Sequence, residues 1–263
     1  MARSLLTIHF VRHGETTANR ENIIQGQQDY RLTPLGVNQA EATAARLQHN
    51  KYWQAHSSDL VRASRTAEII TQNHSGTTLL KTPLLREFGL GVQEDLPRGT
   101  SWSEARRIKA EKAGIPLEDF KEPRRESLTE VEQRARQFVD ALVADADADT
   151  FMQREAAEVR GREKEGRGAD GNSVETQDGG DADGGCERLA LVVSHGGLLN
   201  VMMSVVMGLE EVGFMGNCSV AVVEVFEKDE GGFSFVLGVL NDDSHMEAAG
   251  LSADGGGVEN FEK

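Results

Sequence analysis

Two histidine–glycine pairs, almost two hundred positions apart, are the residues most able to do chemistry. The first lies in Phe10-Val11-Arg12-His13-Gly14-Glu15-Thr16 and the second in Val193-Ser194-His195-Gly196-Gly197. Between them, Arg62 falls in the first turn of an expected helix, and Glu87 sits in a loop beside Gly89 and Gly91. A neutral imidazole is a competent nucleophile toward phosphorus. Phosphoryl transfer spreads negative charge over three oxygens, so fixed cations supply most of the catalysis. Arg12, Arg62 and His195 would supply that charge with no metal or other cofactor, and the planar fork of arginine suits two phosphate oxygens. Glu87 is the best candidate to protonate a leaving alcohol. A bound phosphate dianion would favour its acid form. Each residue alone has a plainer reading: a surface or satisfied core histidine, an exposed arginine, a solvated loop carboxylate. Their combination is what points to a phosphate-handling histidine site.

Such a site needs rigid elements to bring its parts together. Leu5 to Val11 and Leu189 to Val193 are continuous apolar runs that stop at Arg-His-Gly and Ser-His-Gly. Runs of this kind read as buried strands. Ligands of open α/β sheets bind just beyond the carboxyl ends of the strands. If the two strands are neighbours in one parallel sheet, both imidazoles face one crevice.

Further elements follow from local signals. Thr33-Pro34 is an N-cap followed by a first-turn proline, opening a helix to about Gln48 with Ala40, Ala44 and Leu47 on one face. Trp53 to His56 is a weak strand. Ser57, Ser58 and Asp59 offer capping oxygens to a helix from Leu60 to Thr71. There Arg62 is either an exposed cation that slightly opposes the helix dipole or a partner of the helix N-terminus in holding an anion. Leu79 to Thr82 reads as a strand, Ser101 with Glu104 as the start of a helix to about Ala113, and Ser127 or Thr129 as the start of another. Asn19 to Gln28 and Pro116 to Ser127 read as loops. Leu198 to Met207 is an apolar helix, and Val220–Phe226 with Phe233–Leu237 flank a hairpin turn.

The chain has 263 residues and a formal charge of −15. All but −2 of that charge lies in residues 145–187 and 242–263, so it says little about the substrate. It does argue against nucleic acid as a partner. No stretch is apolar and long enough to span a bilayer. The N-terminus lacks signal-peptide anatomy, and two cysteines are too few for a disulfide framework, so a cytoplasmic, reduced protein is expected. The expected organisation is a single domain over residues 1–246. It contains an acidic insertion at about 155–186 and is followed by an acidic tail at 247–263, both expected to be disordered because they hold almost no large apolar residues.

Phe10-Val11-Arg12-His13-Gly14-Glu15-Thr16, Ser58-Asp59-Leu60-Val61-Arg62-Ala63 and Val193-Ser194-His195-Gly196 together resemble the histidine phosphatase, or phosphoglycerate-mutase-like, superfamily. The resemblance runs from Leu5 to about Met246, interrupted by the insertion. It implies a three-layer α/β/α sandwich with a mostly parallel central sheet. It implies His13 as the phosphorylated nucleophile, Arg12, Arg62 and His195 as the phosphate pocket, and Glu87 as the proton donor. Asn19, Gln25, Gly26 and Gly196 match positions on the substrate side. Within the superfamily the chain is similar to the TIGAR-type fructose-2,6-bisphosphatases, through Ile23-Ile24-Gln25-Gly26-Gln27 and Leu240-Asn241-Asp242-Asp243-Ser244-His245. It departs at Pro123-Arg124-Arg125-Glu126-Ser127, where arginines replace two glycines. Arg124 and Arg125 either add phosphate contacts or are exposed loop charges. The expected activity is hydrolysis of a small phosphorylated metabolite. The alternatives are a phosphoglycerate mutase and a non-catalytic module that holds a phosphorylated ligand. The sequence leaves the oligomeric state open.

Overall fold

The computed structural model describes residues 4–166, 188–210 and 212–253, with side chains left out at 151 and 153–166. The two histidine-bearing strands are β1 (Ser4–Arg12) and β4 (Arg188–Ser194). The others are β2 (Gln54–Ser58), β3 (Leu79–Thr82), β5 (Val220–Glu227) and β6 (Phe233–Asp242). Together they form a six-stranded sheet in the order β3-β2-β4-β1-β5-β6. β1, β2, β3 and β4 pair in parallel, whereas β5 and β6 join as an antiparallel hairpin at one side. The expected adjacency of β1 and β4 is therefore observed. Their register places Arg12 opposite Ser194, so the next residues, His13 and His195, leave the sheet level with each other.

Alternation along the strands builds two apolar layers. Ile8, Phe10, Ala190 and Val192 face one side, where they pack with Val131, Phe138 and Leu142 of α5 (Leu128–Gly166) and with Leu198 of α6 (Gly196–Val201). Val11, Leu191 and Val193 face the other, where they meet Leu47 of α2 (Pro34–Leu47) and Ala63, Ala67 and Ile70 of α3 (Val61–Thr71). The result is the expected α/β/α arrangement. α1 (Thr17–Arg20), α4 (Trp102–Ala113) and α7 (Ser244–Ala248) complete the described helices. No helix among the described residues is long and apolar enough to cross a membrane.

Several expectations need correction. Asn19 is not in a loop: Thr16 and Asn19 form a reciprocal capping box that winds residues 17–20 into one helical turn. The apolar helix after β4 gives way at Met202 to a wider π-helical turn, with Met207 N–H donating to Met202 O. α5 runs on to Gly166, so the part of the expected disordered insertion from 155 to 166 is helical. Its sequence is rich in alanine, glutamate, arginine and lysine, all good helix formers, which offset the lack of apolar residues. Residues 167–187 of that insertion lie outside the described residues. The tail expected to be disordered from 247 is ordered as far as Ala253. Ser252 O accepts from Gln39 Nε2 at 2.5 Å, Ala253 O accepts from Asn217 N–H at 3.0 Å, and Ala253 is buried. Residues 254–263 lie outside the described residues.

Candidate active site

The turn after β1 sets the first histidine. Gly14 closes against α2 so tightly that a Cβ there would lie 2.4 Å from Gly36 O. Gly14 O accepts a hydrogen bond at 2.8 Å from Nδ1 of His13. A carbonyl oxygen only accepts, so Nδ1 carries the hydrogen and Nε2 is the unprotonated nitrogen. Burial, and then the Arg62 and Arg12 cations, hold the imidazole well below its ordinary 6.5. Both effects favour the neutral form of the ring. From behind, Asn217 Nδ2 donates to His13 O at 2.8 Å. Asn217 was not foreseen. It lies in an irregular segment, and only the fold brings it to β1.

The second histidine has the opposite tautomer. Arg62 Nε donates to Nδ1 of His195 at 3.1 Å, and an arginine has nothing but donors to offer. Nδ1 is therefore the acceptor and Nε2 carries the hydrogen. That Nε2–H is buried and has no hydrogen-bond partner among the described residues. Burial first, then Arg62 and the neighbouring His13, depress this imidazole well below 6.5 as well. The two rings lie with centroids 5.2 Å apart, tilted by 57°. One neutral nitrogen and one unsatisfied N–H thus occupy one crevice.

Arg62 is 1% exposed, which removes the surface reading. Besides His195 it donates to Gly26 O and Gln28 O, both at 2.8 Å. It therefore orients His195 and fixes the 26–28 turn while bringing a positive charge. The expected caps for α3 are not those the sequence offered. Ser58 Oγ accepts only from Leu60 N–H, at 3.2 Å, and Asp59 is taken by a two-pronged pair with Arg86 at 2.7 and 2.6 Å. The cap on Val61 N–H comes instead from Asp29 Oδ1, at 2.6 Å, across the chain.

Arg12 is buried against Phe214, with its guanidinium 4.8 Å from the ring centre, and donates to Met215 O at 2.8 Å. Gly196 lies beside it: a Cβ there would sit 3.5 Å from Arg12 Nε, an ordinary van der Waals contact. Glu87 is buried at the start of α6. Its Oε2 accepts from Gly197 N–H at 3.1 Å, and its Oε1 accepts from Leu198 N–H and Phe88 N–H at 3.0 Å each. Its carboxylate is thus fixed one turn from His195. On the substrate side, Asn19 Oδ1 accepts from Thr16 N–H and Oγ1–H, which leaves its buried Nδ2 without a partner among the described residues. Gln25 Oε1 lies at the same 2.9 Å from Thr16 Oγ1, so the single hydroxyl hydrogen is shared between the Asn19 and Gln25 oxygens. Gly26 has a positive φ of 50°, and a Cβ there would overlap Glu94. Arg124 is exposed and pairs with Glu130, and Arg125 is exposed. The sequence expectations for Arg12, His13, Arg62, Glu87 and His195 thus converge on one place. Among the described residues no group of three or more histidine, cysteine or acidic side chains is arranged to hold a metal ion.

Comparison with known proteins gives a consistent result. The model of the histidine phosphatase superfamily (branch 1) matches residues 8–152. A Yersinia pestis protein named "Probable phosphoglycerate mutase GpmB" is 34% identical over 139 residues, which cover 53% of this chain and 64% of that protein. The match therefore spans less than two thirds of that relative. The structure of mycobacterial glucosyl-3-phosphoglycerate phosphatase with VO3 superposes with a TM-score of 0.62 at 25% identity, covering 90% of this chain and 100% of that one. A phosphoglycerate mutase from Bacillus anthracis shares the fold at a TM-score of 0.58 and 20% identity, over 91% of this chain and 94% of that one.

Proposed function

The chain belongs to the histidine phosphatase superfamily, and on that premise we propose that it is a phosphomonoester hydrolase working through a phosphohistidine at His13. Nε2 of His13 attacks phosphorus, the P–N bond forms as the ester P–O bond breaks, and Glu87 protonates the departing alkoxide. Water then attacks the phosphohistidine, Glu87 takes its proton, and phosphate leaves. His195 Nε2–H, Arg12 and Arg62 stabilise the equatorial oxygens. The observation that carries this reading is the complementary tautomer pair: a neutral acceptor nitrogen on His13 beside an unpartnered, buried donor on His195. A small sugar phosphate such as fructose 2,6-bisphosphate is the proposed substrate, on the likeness of the residue 23–27 and 240–245 stretches. The phosphatase neighbour adds glucosyl-3-phosphoglycerate to the esters worth testing.

The test is phosphate release from a panel of these esters, together with acid-quench trapping of labelled protein. Label on His13 and its loss in His13→Ala are expected. Equal hydrolysis by the variant overturns the reading. A phosphoglycerate mutase is the second reading, favoured by the name of the Yersinia relative. Faster interconversion of 3- and 2-phosphoglycerate than release of phosphate from any ester would establish it.

A further inference from the structure

The Glu87 loop is held by a residue that none of the site motifs contains. Arg134 lies on the first turns of α5, and its side chain is only 13% exposed. Its Nη1 donates to Leu84 O at 3.0 Å and to Arg86 O at 2.5 Å, and its Nη2 donates to Glu87 O at 3.0 Å. One guanidinium thus grips three carbonyls of the four-residue stretch that ends at Glu87. The other edge of the fork meets Glu126, with Nε to Oε1 at 3.1 Å and Nη2 to Oε2 at 3.2 Å. Glu126 in turn accepts from Gly89 N–H at 2.7 Å and from Gln27 Nε2 at 3.1 Å. Gln27 closes the circuit by donating to Glu87 O at 3.2 Å.

We propose that Arg134, braced by Glu126, is a positioning residue for the proton donor Glu87, and that it couples the donor loop to the 26–28 turn on the substrate side. The inference rests on the phosphatase reading above. Three features support it. Arg134 is anchored on a helix whose Val131, Ala135 and Phe138 are locked in the core, so its guanidinium has a rigid base. The carbonyls it grips belong to a short 3-10 turn and the loop after it, where no sheet ladder pairs them. And Glu126 touches both walls of the crevice through one carboxylate, so a shift of the 116–127 loop is passed to both.

A role in placing the acid has a signature that mere folding support lacks. A proton donor matters for esters whose alcohol leaves poorly and hardly at all for aryl esters whose phenolate leaves unaided. The experiment compares an alkyl phosphate, the best ester of the panel, with p-nitrophenyl phosphate in the wild type, Arg134→Lys and Glu126→Gln. Thermal melting reports the fold. Misplacement of a reacting group by about 1 Å costs about 100-fold. The expected result for Arg134→Lys is therefore a kcat/KM loss of about that size on the alkyl ester with little change on the aryl ester, since kcat/KM reports phosphoryl transfer and not the later attack of water, an altered basic limb of the pH profile, and a smaller effect of the same pattern in Glu126→Gln. Equal loss of kcat/KM on both esters, or no loss on either in a folded variant, overturns the inference. Absence of phosphohistidine in the wild type with either ester overturns the phosphatase reading itself, and the inference with it. If Arg134→Lys does not fold, Glu126→Gln decides by the same ratio.

Discussion

Arg62 Nε and His195 Nδ1 meet at 3.1 Å, and this one bond decides which nitrogen of His195 faces the crevice. A lysine at position 62 keeps the charge but cannot reach His195, Gly26 O and Gln28 O at once, as the planar fork does. Arg62→Lys is expected to lower kcat/KM by about 100-fold, the usual cost of one oxyanion donor. Arg62→Ala is expected to lower it further, since the charge goes too. Steady-state kinetics on the best ester measures this. A lysine variant with wild-type kcat would mean that the tautomer is set elsewhere.

The histidines also fix how the protein responds to acid. His13 and His195 are held well below 6.5 by burial and nearby arginines, and burial lowers His9 to about 4. Between those lowered values and 6.5 the unfolded chain binds protons that the folded one does not. Stability therefore rises with pH across that window and levels off above about 6.5. Each such group contributes up to about 1.4 kcal/mol per pH unit. Melting temperature from pH 4 to 8 should climb and then flatten near 6.5. On the phosphatase reading, the rate of His13 phosphorylation should fall off only at lower pH than it would for a free imidazole, because burial and the nearby arginines favour the neutral ring.

Gly14 and Gly36 touch where the catalytic turn meets α2. A Cβ on Gly14 would sit 2.4 Å from Gly36 O, and one on Gly36 would sit 2.1 Å from Glu15 O. Both obstacles are backbone, so neither can swing aside. Gly14→Ala is expected to cost about 1–3 kcal/mol and to displace His13, with activity falling more than stability alone explains. Chemical denaturation and kcat together check this.

The ordered end of the tail contributes to the site from behind. Asn217 donates its side chain to His13 O, while its own N–H donates to Ala253 O. Gln39 links Ser252 O to the amide of Glu15. Removing everything after Gly250 leaves Asn217 N–H and Gln39 Nε2 without these acceptors. The expected loss is about 2 kcal/mol, at about 1 kcal/mol per hydrogen bond, with a measurable fall in kcat. A melting curve and a turnover assay on the shortened chain test it.

The sequence made legible what is local. The Thr33-Pro34 and Ser101 caps, the two apolar strands and the hairpin all depend on neighbours within a few residues, and they stand where expected. The convergence of His13, His195, Arg12, Arg62 and Glu87 was legible because strand ends in a parallel sheet share one edge. What stayed hidden is long-range. Asp29 caps α3 from a distant loop, and Arg134 and Glu126 look like ordinary surface charges until α5 lies beside the Glu87 loop. Asn217 gave no signal because its partner is a backbone oxygen more than two hundred positions away.

Sheet order also bears on how the molecule is made. β4 occupies the seat between β1 and β2, and its pairing joins Leu6 to Arg188. Until β4 has been translated, β1 and β2 have no strand to bridge them and His13 has no companion imidazole. A nascent chain stalled before β4 would carry the whole of the N-terminal signature yet be unable to assemble the crevice. Assembly of the crevice therefore waits on β4, and such far-reaching pairing favours slow closure of the sheet.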